Sequence, residues 1–260
     1  MEFEDILPIL EEIQNQQKTY KPVKNNSKTN ISVLNSLELN WKSHLILILA
    51  VYLLSKKTVL GFLKGYFTLN VSYVLWYFVH LAAHIIDDHF PIPFIGCFHD
   101  YHHKNDNLLG LFIEVVVAEL GFISWWLLLY WSLFDNKMNF IDPWIIVFYA
   151  FMYVTIHNIN YSILKVNQTH YRHHLTPLKN VGPDICDIIF GSKADGDDEI
   201  ENTDHYIPNA ICITIFLLAL KEYFANSKSL LFWICYLFCI FNLIVGFIFY
   251  FVYYYFKISK

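Results

Sequence analysis

Nine of the twelve histidines in this 260-residue chain fall into four short groups, each beside a long apolar segment. His80 and His84 are spaced HxxxH. His99, His102 and His103 form HxxHH, His157 stands in His-Asn-Ile-Asn-Tyr, and His170, His173 and His174 repeat HxxHH. On a helix, positions i, i+3 and i+4 share one face, so each box presents imidazoles close enough to share a metal. Imidazole suits iron, zinc and copper, whereas magnesium and calcium prefer oxygen. A closed structural zinc site uses four ligands, so nine clustered histidines can supply two metals and still leave exchangeable positions. Two neighbouring irons with an open position could bind and reduce O2 and attack an unactivated C–H bond. Soluble di-iron bundles combine Glu with Glu-x-x-His motifs. No such carboxylate pairs accompany these boxes, so the expected ligand set is nearly all nitrogen.

The elements that must position these groups are apolar helices. Hydrophobic residues make up 56% of the chain and charged residues only 16%, against about 25% charged in a soluble domain, and the mean hydropathy is +0.38. The apolar stretches lie at roughly 43–63, 66–86, 108–134, 141–163, 208–225 and 229–256. A span needs about 20 apolar residues. The second, third, fourth and sixth stretches meet that length, whereas the first, broken by Lys56 and Lys57, and the fifth are marginal. The expected fold is all-α: an integral membrane bundle of four to six transmembrane helices with a polyhistidine di-metal site at one face.

Residues 1–40 read as a flexible or peripheral lead-in without the basic-then-apolar pattern of a signal peptide, and residues 41–260 as the membrane domain. The third and fourth stretches form a hairpin that returns the chain to the side of the boxes. Lys104, Lys165, Arg172, Lys179 and Lys193 flank the histidines there, so the positive-inside tendency makes that face cytosolic. The sequons at Asn25 and Asn30 are then expected to stay unused. A net charge of -5 gives no basic footprint, and no nucleic-acid partner is expected.

Other chemistry-bearing residues carry blander readings. His44 and His89 read as satisfied polar groups at membrane flanks. His205, in Asp204-His205-Tyr206, fits an outer support of the site, a substrate mouth or a plain loop. The five cysteines lie mostly inside apolar runs and read as packing residues. Glu114 and Glu119 are the exceptions in an otherwise uncharged third stretch.

The ordered set HxxxH, HxxHH, an isolated His after a hairpin, then HxxHH resembles the fatty acid hydroxylase/sterol desaturase superfamily of membrane di-iron enzymes. The stretch Asn180-Val181-Gly182-Pro183-Asp184-Ile185-Cys186-Asp187-Ile188-Ile189-Phe190-Gly191-Ser192 is similar to that family's Asn-x-Gly followed by Asp-x-x-Phe-Gly-Thr. The resemblance covers roughly residues 70–195. It implies that the nine histidines are ligands of two iron ions with O2 as co-substrate, and that Asn180 and Asp187 organise the last box. It implies a fatty acyl, sphingoid or sterol substrate that is hydroxylated or desaturated, and an endoplasmic reticulum location. The chain has neither a haem-binding His-Pro-Gly-Gly nor a dinucleotide-binding Gly-x-Gly-x-x-Gly, so the electron donor acts in trans. By the resemblance, that donor is cytochrome b5 with its reductase. Many members carry a second histidine shortly after the isolated one, where this chain has Tyr161. A rival reading is a membrane metal-binding or metal-transport protein. It predicts polar groups deep in the spans, whereas these histidines crowd at segment ends. A third reading, an inactive relative that keeps the fold for assembly, sits poorly with intact boxes.

Overall fold

Every regular element among the described residues is helical. The structure, a computed structural model, describes residues 31–89, 101, 103, 108–113, 115, 140–194, 199–223, 236, 237, 240, 244 and 248. In chain order these contain α1 (Val33–Leu39), α2 (Trp41–Leu54), α3 (Val59–His89), α4 (Leu108–Phe112) and α5 (Pro143–Thr155). A π-helical continuation (Ile156–Ile163), α6 (Thr169–Leu175), α7 (Asp184–Phe190), a 3-10 turn (Thr203–His205) and α8 (Tyr206–Tyr223) follow. The lead-in expected over 1–40 has given way to helix by Val33.

Local chemistry sets the helix ends. The Ser32 hydroxyl accepts the Asn35 N–H at 3.2 Å and starts α1. Asp142 does the same for α5, accepting the Trp144 N–H at 3.0 Å, with Pro143 in the first helical position, where its missing N–H costs nothing. The apolar stretch expected at 43–63 is two helices, α2 and the start of α3, separated by Ser55–Thr58. Lys57 Nζ ends α2 by donating to the Tyr52 and Leu53 carbonyls, both at 3.1 Å, as a cation at a helix C-terminus should. Gly65 then lets α3 pass beside α2, since a Cβ there would overlap the Ser55 hydroxyl.

The contacts define a bundle of two parallel pairs. Phe67 meets Phe140 at 6.2 Å between ring centroids, Tyr73 meets Tyr149 at 4.8 Å, and Trp76 meets Tyr153 at 4.5 Å. Residues further along α3 thus meet residues further along α5, so these two helices run the same way. Helices α2 and α8 are also parallel: Asn40 sits against Glu201 and Thr203 at one end. At the other end Lys221 Nζ donates to the Leu54 carbonyl at 2.6 Å. Helices α5 and α8 run oppositely, with Phe151 against Phe216 at 5.9 Å and Lys221 over Trp144. Leu47, Val51, Leu54, Ile145, Phe148 and Leu217 fill the shared core. One end of the bundle therefore gathers the C-termini of α3 and α5 with the N-termini of α2 and α8, and α7 packs there on α1 and α3.

The outer faces are apolar as well: Leu49 and Tyr52 on α2, Leu60 and Leu63 on α3, and Ile215 and Phe216 on α8 are exposed. Among the described residues one helical run, Thr203–Tyr223, is long and apolar enough to cross a membrane. Its 21 residues would extend about 31 Å at 1.5 Å per residue, close to a hydrocarbon core of about 30 Å. It coincides with the fifth stretch, marginal by sequence because its apolar run is short. A second candidate arises if α1 and α2, bent by 80° at Asn40, count as one span. The stretches 108–134 and 229–256 lie mostly outside the described residues.

Asn40 is the pin at that bend. It is 2% exposed, its amide donates to the Glu201 carbonyl at 2.8 Å, and its oxygen accepts the Thr203 N–H at 2.8 Å. Asn40→Ala removes the partner of two buried backbone groups, each worth about 1–3 kcal/mol when unmade. Denaturant unfolding in detergent should show a loss of about 2–4 kcal/mol. Lys42→Ala, which breaks an exposed ion pair with Asp204, should cost no more than about 1 kcal/mol. Equal losses in the two variants would contradict the role given to Asn40.

Candidate metal centre

Helix periodicity does the first part of the assembly. His80 and His84 are one turn apart near the end of α3, with ring centroids 5.1 Å apart. The third box is α6 itself, begun by Asn167, whose side chain accepts the Thr169 N–H at 3.1 Å. His173 of α6 reaches across to α3: its ring lies 4.7 Å from His80 and 4.8 Å from His84, and His84 Nε2 stands 3.0 Å from His173 Nε2. His103 completes the group, 4.7 Å from His84 and 5.0 Å from His173. One ligand atom from each of His80, His84, His103 and His173 lies within 4.8 Å of the others, so these four can hold a metal ion.

A second group adjoins it. His157 lies 4.5 Å from His170, and His170 lies 4.5 Å from His174. The Nε2 atoms of His170 and His174 approach to 2.9 Å. His103 stacks on His174 at 4.1 Å, and His80 is 6.4 Å from His157, so the two groups form one continuous imidazole cluster. His157 enters it from the π-helical segment, where i→i+5 bonding replaces the α pattern: the Leu164 N–H donates to the Ile159 carbonyl at 2.8 Å. Such segments recur at functional sites. The sequence suggested a plain helix to residue 163. The π register brings both His157 and Tyr161 to His170, with Tyr161 stacked on that ring at 5.3 Å.

Surrounding groups hold the imidazoles in place. His173 is fully buried, and its Nδ1–H donates to the Lys179 carbonyl at 2.9 Å, which leaves the Nε2 lone pair facing the cluster. The Tyr153 hydroxyl stands 3.4 Å from His80 Nδ1. Asp187, buried in α7, accepts the Gly182 N–H at 2.8 Å and the Ser192 hydroxyl at 2.6 Å. Ser192 in turn accepts the Tyr77 hydroxyl at 2.8 Å. Tyr77 is on α3, one turn before His80, so this chain ties the loop after α6 to the helix that carries the first box. Asn180 takes a left-handed φ of 49° and its side chain accepts the Ala194 N–H at 3.0 Å, closing the same loop. Cys186 packs with Tyr77 and Val181, and burial pushes its thiol up to about 12, as for an inert packing thiol.

Behind His80, His157 and His170 lies a chamber of about 60 Å³, also lined by Tyr73, Tyr153, Asp187, Glu201 and Tyr206. It has room for a few molecules the size of water and none for an acyl chain. Glu201 accepts a short hydrogen bond from Tyr161 and another from Asn167 at 2.7 Å. Burial raises its carboxyl to about 7. Tyr161 thus turns its hydroxyl to Glu201 and to Tyr206, the latter at 2.8 Å. His205 sits outside the imidazole cluster, against Tyr161 at 5.6 Å and Glu201 at 3.6 Å. His44 bonds its own helix through the Asn40 carbonyl at 3.0 Å. His99, His102, Glu114 and Glu119 lie outside the described residues. Sequence reasoning did not reach Tyr77, Tyr153 or Glu201, and it named Ser192 without a role of its own. Only the Glu201–His205 spacing of four offered a local signal.

Comparison with protein-family models, with curated proteins and with solved structures yields no match for this chain.

The raised carboxyls have a measurable consequence. A carboxyl whose folded value is raised stabilises the fold at low pH, and that contribution is lost as pH rises through the folded value. Asp187, raised to about 6, and Glu201, raised to about 7, both give up their share as pH rises from about 4 toward 7, Glu201 the later of the two. Thermal unfolding of wild type should fall across that interval, and Glu201→Gln should flatten its upper part. An undiminished slope in Glu201→Gln would assign the decline elsewhere.

Proposed function

We propose that this chain is an integral membrane, non-haem di-iron oxidoreductase that hydroxylates, or desaturates, a fatty acyl, sphingoid or sterol lipid, as a member of the fatty acid hydroxylase/sterol desaturase superfamily. The observation that carries the reading is the pair of Nε2···Nε2 approaches, 3.0 Å in His84–His173 and 2.9 Å in His170–His174. Imidazole nitrogens about 2.1 Å from an ion and at right angles around it lie about 3.0 Å apart. Each pair therefore has the separation of two adjacent ligands on one ion, and the pairs belong to the two adjoining halves of one cluster. A single zinc is satisfied by four histidines. The additional imidazoles, together with His99 and His102 of the second box, favour two ions with exchangeable positions.

Bound iron would supply O2 reduction and hydrogen abstraction, and the net hydroxylation is RH + O2 + 2e− + 2H+ → ROH + H2O. The chain's own residues bind, orient and exclude. The Lys179 carbonyl fixes the His173 tautomer, Tyr153 steadies His80, and Tyr73, Trp76 and Tyr149 wall the bundle side of the site against water. The chamber is too small for lipid, so the lipid chain approaches from the apolar exterior of the bundle. The parallel run of α3 and α5 supports a bundle of four to six spans. The chain must return between them, and 108–134 is the apolar stretch available for that. Lys165, Arg172, Lys179 and Lys193 flank the histidine boxes, and the positive-inside tendency favours a cytosolic face, at the endoplasmic reticulum by the resemblance. Electrons come from a separate carrier such as cytochrome b5.

Protein purified from iron-replete cells should hold about two irons per chain, and total lipids from expressing cells should gain one oxygen or lose two hydrogens by mass spectrometry. His173→Ala should abolish that product while leaving membrane insertion unchanged; His44→Ala should not. One zinc and no iron would favour the metal-binding or transport reading instead.

A further inference from the structure

The oxidation written above consumes two protons, yet the imidazole cluster is backed by aromatic rings and its best-placed ring, His173, is fully buried. Glu201 is one of three acids, with Asp184 and Asp187, on the wall of the chamber that His80, His157 and His170 also line. Three groups fix its position: Tyr161 and Asn167 donate to Oε1, and the Tyr206 hydroxyl lies 3.5 Å from Oε2. The remaining titratable neighbours are Tyr73 of α3, Asp184 of α7 with its partner Lys193, and His205. Among these, His205 stands between the Glu201 carboxyl and the surface, whereas Asp184, paired with Lys193, meets Glu201 through its backbone N–H. Its Nδ1 faces the Asn202 carbonyl at an exposed position, 3.0 Å away. Its Nε2 is buried, makes no hydrogen bond among the described residues, and points at Glu201 Oε1 from 3.6 Å. An imidazole set between the surface and a buried carboxyl can take up a solvent proton and release it to that carboxyl.

We propose that His205 and Glu201 form the proton-entry path of this site, delivering solvent protons to the small chamber behind the histidine cluster. In the transfer the His205 imidazolium gives its Nε2 proton to Glu201, so the Nε2–H bond breaks and an Oε–H bond forms while Nδ1 keeps its hydrogen. Nε2 regains a proton from water when the ring turns toward the surface, and no electrons move. Neither residue binds metal, and both are positioning residues for the chemistry. The use of the delivered protons rests on the oxygenase reading; the path itself does not.

The test is infrared spectroscopy of the metal-free, detergent-solubilised full chain on transfer from H2O to D2O. Wild type should show the C=O band of a protonated buried carboxyl that shifts on deuteration, and Glu201→Gln should lack it. His205→Leu should keep the band but exchange it at least tenfold more slowly. His205→Gln, which keeps polarity without a titrating nitrogen, should exchange as slowly. Exchange at the wild-type rate in both His205 variants, or a band that survives Glu201→Gln, would overturn the path. In the iron-loaded protein, Glu201→Gln should keep its metal and release more hydrogen peroxide per electron pair consumed. Full coupling in that variant would also overturn the assignment. A wild type that exchanges as expected yet oxidises no lipid would instead sink the oxygenase reading alone.

Discussion

The structure depends on two helices that run in the same direction. Because α3 and α5 are parallel, His80 and His157 arrive at the same end of the bundle, 6.4 Å apart. The ladder of ring pairs from Phe67–Phe140 to Trp76–Tyr153 sets the register between them. Each aromatic pair is worth about 0.5–1.5 kcal/mol beyond its burial. A ladder of several such pairs makes a shift of one turn expensive. The antiparallel partners α2 and α8 add their N-termini to the same end, and Asn40 binds them to the loop that carries Glu201.

The register of α6 is held by a different kind of chemistry. Its helix is only seven residues long, too short to be stable on its own propensity. The polar chain from Tyr77 through Ser192 and Asp187 to Gly182 supplies what propensity cannot. With every donor and acceptor paired inside a low-dielectric interior, such a network specifies one arrangement and penalises any partial one. Placing the last histidine box therefore rests on Asp187 and Asn180 holding the loop behind it. The dense pairing leaves His173 one tautomer and one direction.

Much of this was legible in the chain. The i, i+3, i+4 spacing of the boxes, the helices around 66–86 and 141–163, and the break marked by Lys56-Lys57 all follow from periodicity and charge. The stretch from Asn180 to Ser192 marked the segment that organises the last box, and the left-handed φ at Asn180, Gly182 and Gly191 is the backbone reason for those residues. What stayed hidden was tertiary. Tyr77 and Tyr153 look like two aromatics among many, and only packing shows that they meet Ser192 and His80. Glu201 lies 27 residues after the last box in a stretch rich in acidic residues, where composition suggests a solvated loop. The π-helical turn at His157 has no sequence signature, since its cost is repaid by contacts from α6.

The central claim is that the imidazoles converge on a pair of redox-active ions. X-ray absorption at the iron edge of the reconstituted protein tests it most directly. The account predicts a nitrogen-rich shell with the outer scattering of several imidazoles and an iron neighbour for each iron. An isolated ion with no metal neighbour, or a shell dominated by sulfur, would contradict it.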